Sequence, residues 1–275
     1  MTVQESLAWY VYAVLPSAAA TLPDDSEAVV PGAGLTLLPS GPPEGGLAAL
    51  VSLVPRALFS DGGPDGGRGA GSAADPSWVA GCAARHHAVI ARARRSAPCL
   101  PLGFGTLFGS EAAVRAWLAR EAASFGAALA WLGHDEEWAV TLAGDRAVHE
   151  AWISAHDPAL RAAETEAACA SAGRRFLLAR TLARLREAAC STDETASIAG
   201  LAAGLPALCR VVRAETPPPG ALAAWSLLAE QGADLGAALA GHAAALAERG
   251  LHLRVTGPWP PYAFARAALE GGGHG

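Results

Sequence analysis

Residues 208–255 read LCRVVRAETPPPGALAAWSLLAEQGADLGAALAGHAAALAERGLHLRV, and the punctuation of this stretch decides the fold of the C-terminal half. The run at 208–214 (LCRVVRA) ends in the turn Pro217-Pro218-Pro219, and a short apolar run closed by turn residues predicts a strand. A second strand is expected at 221–229. A helix over about 233–249 is closed by Gly250 and followed by a strand at 251–255. Upstream, residues 137–142 (EWAVTL) supply an earlier strand. Helical stretches fill about 145–189, with an inner face at Leu178, Leu182 and Leu185, and a further helical piece covers 194–205. The order is β-α-β-β-α-β, that of a ferredoxin-like domain with an enlarged helical insert after its first strand.

The N-terminal half predicts a second α/β unit, making the chain α/β (α+β) with two domains. Residues 9–15 (WYVYAVL) and 47–54 (LAALVSLV) are buried-strand runs, with a short strand possible at 34–38 inside the Pro/Gly-rich segment 31–46. Residues 60–75 are mostly Gly, Asp, Ala and Ser, which bury too little apolar area to repay ordering, so a mobile loop is expected. Asp75 and Pro76 then form an N-cap with proline at the first helical position. The stripe of that helix runs Val79, Cys82, His86, Val89, Ile90, and it ends near Ala97-Pro98. Residues 99–108 predict a strand or extended turn. Ser110 caps a second helix in which Val114, Trp117, Leu118, Ala122, Phe125, Leu129 and Leu132 recur at helical period. The domain boundary is placed near Gly133-His134, giving domains 1–133 and 134–275.

Composition excludes several functions. All twenty basic residues are Arg, and Lys and Asn do not occur, so Schiff-base chemistry and a P-loop lysine are ruled out. The net charge is −6 with both signs interspersed, which argues against nucleic acid as a partner. Five widely spaced cysteines, Cys82, Cys99, Cys169, Cys190 and Cys209, form no CxxC pair, and a reducing cytoplasm is the expected compartment. The apolar run from Leu7 to Ala20 has Glu5 and no basic residue before it, unlike a signal peptide. No apolar stretch reaches the roughly 18 residues of a spanning helix, so no lipid membrane is expected.

Candidate sites are few. Gly103, Gly105 and Gly109 precede a helix, yet they lack the dinucleotide fingerprint and are expected to serve a tight turn. His86 and His87 are neighbours on a helix and point about 100° apart, so they do not face one metal. His86 lies on the apolar stripe as a hydrogen-bonded histidine, and His87 is expected to face solvent. Cys99 is a candidate nucleophile near them. His134, Asp135, Glu136 and Glu137 predict a solvated acidic turn. Arg174, Arg175, Arg180, Arg184 and Arg186 make one helix basic, either for an acidic partner or as a solvated face paired locally with Glu164, Glu166 and Glu187. No catalytic residue, cofactor or metal is assigned, and no enzyme is expected. The segment Gly257-Pro258-Trp259-Pro260-Pro261-Tyr262 is expected to leave the last strand as a stiff arm. Either it packs over its own domain, or Trp259, Pro260, Pro261, Tyr262 and Phe264 form a docking surface.

Two segments carry a resemblance. Residues 256–264 (TGPWPPYAF) are similar to the C-terminal TGPWPPYSF signature of the gas vesicle protein F/L family, with Ala263 where Ser is usual. Residues 100–108 (LPLGFGTLF) resemble that family's LPLRFGTVF segment, with Gly103 in place of the usual Arg, so a role of that Arg is not carried over. Tyr10-Val11-Tyr12, residues 51–55, the His87 helix and Glu137-Trp138 match in order and spacing. The resemblance implies a two-domain protein with a modified ferredoxin-like C-terminal domain. It also implies a non-enzymatic accessory and minor structural role in gas vesicle assembly, with the small hydrophobic shell protein, and other accessory proteins, as partners. The location implied is cytoplasmic, on the vesicle. A ligand-sensing or regulatory ferredoxin-like module is the alternative.

Overall fold

The apolar run at 9–15 becomes a deeply buried strand. In β1 (Leu7–Pro16) every residue from Tyr10 to Leu15 is buried, as expected of a strand covered on both faces. The computed structural model describes residues 6–20, 22, 28–41, 45–59 and 75–270. The glycine-rich stretch expected to be a loop at 60–75 lies, apart from Asp75, outside the described residues. Strands β2 (Leu35–Ser40) and β3 (Leu47–Pro55) follow. Helix α1 (Pro76–Arg94) opens as expected, with the Asp75 carboxylate accepting from Ser77 N–H at 2.9 Å. The segment expected as strand or turn gives two two-residue strands, β4 (Leu100–Pro101) and β5 (Leu107–Phe108).

The first sheet has the order β2-β3-β1-β4, with β5 also on β1. Its pairs are antiparallel, and the β1/β3 register slips between Val11 and Ala13. The single helix expected after Ser110 is two, α2 (Glu111–Arg120) and α3 (Ala122–Leu132). They break at Glu121, whose φ of −95° and ψ of 7° leave the α-helical region. Each half keeps its own apolar anchors, Val114 and Leu118 in α2 and Phe125, Leu129 and Leu132 in α3.

The second sheet has the order β7-β8-β6-β9, built from β6 (Glu136–Gly144), β7 (Val211–Glu215), β8 (Ala221–Ala229) and β9 (Leu251–Trp259). Between β6 and β7 stand α4 (Arg146–His156), α5 (Pro158–Cys169) and α6 (Ala172–Gly204). The helical pieces expected around 170–205 are therefore one 33-residue helix. Leu182 packs with Ile153, Leu160 and Cys190, whereas Leu185, expected inside, is exposed. Helix α7 (Leu235–Ala247) precedes β9. Its Leu235, Leu239 and Leu246 enter a core with Val140, Leu142, Trp225 and Leu227. Among the described residues the fold is mixed α/β, with two antiparallel sheets and eight α-helices.

Two compact units emerge, Met1–Glu137 with Trp259–Gly275, and Trp138–Pro258. The aromatic arm differs here from its expected place in domain 134–275. Strand β9 runs through Trp259, so Gly257 and Pro258 continue it where the sequence suggested an exit. The unforeseen helix α8 (Tyr262–Glu270) then buries Phe264 within the first unit.

The turn from α7 into β9 is tightly constrained. Asp145 N–H donates to Gly250 O at 2.8 Å, and the Asp145 carboxylate caps α4 at Ala147 and Val148 N–H. Gly250 has φ +73°, and a Cβ there would stand 2.7 Å from His149 N and 2.9 Å from Val148 Cβ. Gly250→Ala is expected to lose about 2 kcal/mol or more of stability. Gly241→Ala, in the open interior of α7, is expected to gain roughly 0.5–1 kcal/mol. Urea denaturation midpoints of the two variants, shifted in opposite directions, check both.

Candidate functional site

The apolar stripe of α1 sets a histidine against two tyrosines of β1. Cys82, His86, Val89 and Ile90 are all buried, and His86 is only 3% exposed. Its Nδ1 is 2.9 Å from Tyr10 Oη and its Nε2 is 3.2 Å from Leu102 O. A carbonyl can only accept, so Nε2 carries the hydrogen and Nδ1 accepts from the Tyr10 hydroxyl. Tyr10 Oη accepts in turn from Gly105 N–H at 3.2 Å. Gly105 has φ +85°, a conformation glycine adopts without strain. The 103–109 glycine segment thus serves a turn that delivers an N–H to a buried phenol.

Tyr12 works in parallel. Its hydroxyl accepts from Val29 N–H at 2.8 Å and shares a hydrogen bond with Ser52 Oγ at 3.0 Å. The rings pack as a cluster: His86 stacks on Tyr12 at 5.6 Å and meets Phe104 edge-on at 5.9 Å, with Tyr262 at 6.4 Å. Burial lowers the His86 pKa to about 4 and pushes the Tyr10 and Tyr262 phenols above their usual range. Cys99 is fully buried, and burial pushes its thiol up to about 12. That thiol stays protonated at neutral pH, and a thiol is a weak nucleophile.

His87 is not the solvent-facing residue expected. It is half-buried, with Trp259 at 5.1 Å and Tyr262 at 6.2 Å, and burial lowers its pKa. The arm residues separate into two groups. Pro260, Pro261 and Phe264 are buried, and Tyr262 is half-buried against the core that holds Tyr10 and Tyr12. Trp259 is 41% exposed. The acidic turn, expected to be solvated, is engaged. Glu137 Oε2 accepts from Ala263 N–H at 2.9 Å, satisfying a free N–H in the first turn of α8. His134 O and Asp135 O accept from the Arg94 guanidinium, which also donates to Cys99 O at 3.3 Å.

Sequence reasoning missed Arg94, Ser52 and the two tyrosine hydroxyls. A signal for the tyrosines was present, since Tyr10 and Tyr12 alternate within an apolar strand, and Ser52 is the polar residue in the run 47–54. Arg94, at the end of a helix among other arginines, carried none. Among the described residues no group of three His, Cys, Asp or Glu side chains could hold a metal ion, and no helix is long and apolar enough to cross a membrane.

The model of the gas vesicle synthesis protein GvpL/GvpF family matches residues 8–266. The chain belongs to this family. It is 32% identical over 183 residues to gas vesicle protein L2 of Halobacterium salinarum, covering 60% of this chain and 63% of that protein. The chain therefore aligns with less than two thirds of that relative's length. The crystal structure of GvpF from Anabaena sp. PCC7120 superposes with a TM-score of 0.65 at 15% identity, covering 94% of this chain and 98% of that one. GvpF from Microcystis aeruginosa gives 0.60 at 14% identity with the same coverage. At such identities the likeness is one of fold. Family membership ties the protein to gas vesicles.

The buried histidine makes stability pH-dependent. His86 binds its proton near pH 4 when folded and near 6.5 when unfolded, so the unfolded chain holds more protons between these values. Stability from this group is complete above about pH 6.5 and is lost as pH falls toward 4, by about 3 kcal/mol in total. His86→Gln cannot titrate. Its loss of stability between pH 7 and pH 4.5, read from urea denaturation, is expected to be smaller than that of the unaltered protein by 1 kcal/mol or more, on the order of the linkage energy.

Proposed function

We propose that this protein is a non-enzymatic accessory and minor structural component of gas vesicles, which binds the small hydrophobic shell protein during vesicle formation. The observation that carries this reading is the family match along residues 8–266. Within it, Trp259 is the docking residue. Tyr262 and Phe264 are occupied in packing the first unit, while Trp259 keeps 41% of its surface open beside His87. A large aromatic fixed at its base and open at its rim loses little entropy on binding, which favours it as an interface anchor. The buried Pro260 and Pro261 stiffen its support.

The second unit acts as a ferredoxin-like domain. Its strand order β7-β8-β6-β9, with α4–α6 joining β6 to β7 and α7 joining β8 to β9, supports that reading. On this view the domain presents helices while the first unit holds the aromatic arm. The site of action is the cytoplasm, at the vesicle.

The test is co-purification of the tagged protein with the shell protein from vesicle-forming cells. Trp259→Ala is expected to weaken recovery by roughly tenfold or more, with circular dichroism and melting temperature kept close to those of the unaltered protein. Undiminished recovery would remove Trp259 from the interface. Failure of the unaltered protein to co-purify, together with normal vesicles after its deletion, would sink the assembly role itself.

A further inference from the structure

Helix α6 carries an apolar and basic face that its own unit leaves uncovered. Phe176 is 81% exposed and Leu177 is 71% exposed, the two most open large apolar residues among those described. At about 100° per residue, Leu177, Arg180, Thr181 and Arg184 share one side of the helix with Phe176 at its margin. On the other side of the helix Leu182 packs with the cluster of Ile153, Leu160 and Cys190, and Leu178 is half-buried. The basic residues of this helix are not equivalent. Arg174 pairs with Glu166 at 2.5 Å and Arg186 with Glu164 at 2.7 Å, and Glu187 is taken by Arg146. Among the described residues no carboxylate pairs with Arg180 or Arg184, and both border a shallow groove with Ala183, Ala188 and Glu187, the last held by Arg146.

We propose that this face docks an acidic amphipathic helix of a partner protein. The partner's apolar side covers Phe176 and Leu177, and two of its carboxylates, one turn apart, meet Arg180 and Arg184. The spacing argues for a helix, because guanidiniums four residues apart match carboxylates at the same interval on a second helix. Charge complementarity argues for an acidic one, since the local carboxylates are already committed to Arg146, Arg174 and Arg186. A membrane surface fits less well. It requires an apolar stripe along the helix, whereas here Phe176 and Leu177 are separated from the next open apolar residue, Leu185, by two turns that carry exposed Arg180, Thr181 and Arg184. The proposal rests on the second unit alone and is independent of Trp259.

The experiment uses the full chain and fluorescein-labelled synthetic amphipathic helices that share a leucine face and carry either Glu or Lys at positions i and i+4. Fluorescence anisotropy is expected to show binding of the Glu peptide that weakens as salt rises. Arg180→Glu/Arg184→Glu is expected to weaken that binding tenfold or more and to create binding of the Lys peptide. Phe176→Ala/Leu177→Ala is expected to weaken both interactions. The gain by the Lys peptide guards against a variant that merely misfolds. Absence of Glu-peptide binding, indifference to the charge reversal, capture of phosphatidylglycerol vesicles through the same arginines, or self-association of the chain through this face would each overturn the proposal.

Discussion

A short chain of buried hydrogen bonds fixes the first unit, running from Gly105 N–H to the Tyr10 hydroxyl, from that hydroxyl to His86 Nδ1, and from Nε2–H to Leu102 O. It begins and ends on backbone groups, so it joins β1, α1 and the turn after β4 with no polar atom left over. Buried polar groups are costly when one partner is missing and neutral to favourable when all are paired. Here each member has one proton to give or one lone pair to offer in the right place, which holds the ring neutral and the helix rotation fixed. His87 follows on the same helix, turned about 100° onward, and meets Trp259 and Tyr262. The position of the aromatic arm therefore depends on the same network through the ring contacts of His87.

The absence of lysine has a structural counterpart. Arg94 is 7% exposed and serves three carbonyls from two separate segments, Cys99 on one side and His134 and Asp135 on the other. A planar guanidinium offers five donors in a fixed fork, so one side chain can span several acceptors. An ammonium would present three donors from one point and would carry a larger desolvation cost. Arg85 repeats the device on a smaller scale, donating to Val29 O at 3.0 Å beside the Tyr12 site. Carbonyls at turns that would otherwise need water are thereby closed from within the core.

The sequence carried the elements well and their company poorly. Strands β1, β3 and β8 were legible because their apolar runs are long and bounded by Pro or Gly, and α1 because Asp75-Pro76 marks its start. The split at Glu121 was not, since the apolar period of 114–132 continues through the break and only the backbone angles depart. Helix α8 was hidden by the prolines before it, which suggested an extended arm. Its start depends on a carboxylate from Glu137, more than a hundred residues away in the chain, and no local pattern reports such a partner. The same holds for the hydroxyls of Tyr10 and Tyr12. Their apolar neighbours announced burial, but the hydrogen-bond partners arrive from α1 and β3.

Length explains why α6 behaves as two helices in one. At 1.5 Å per residue its 33 residues extend about 50 Å, whereas the nine-residue strands of the second sheet extend about 30 Å. A helix cannot lie on that sheet over its whole length. The C-terminal part, with Ser197 and Leu201 buried, packs toward the core of β6 and β8 and obeys a buried-face pattern. The N-terminal part overruns and packs only on the flanking helices α4 and α5 among the described residues, so apolar residues there need a reason other than the core. This is why the leucines at 178, 182 and 185 suggested one inner face while the structure packs Leu182 on α4 and α5, leaves Leu178 half-buried and exposes Leu185. A helix longer than its sheet necessarily exposes one flank, and composition alone decides whether that flank is merely soluble or is adhesive. With Phe176 and Leu177 set one and two turns from Arg180 and Arg184, neither paired with a carboxylate among the described residues, α6 has the composition of an adhesive flank.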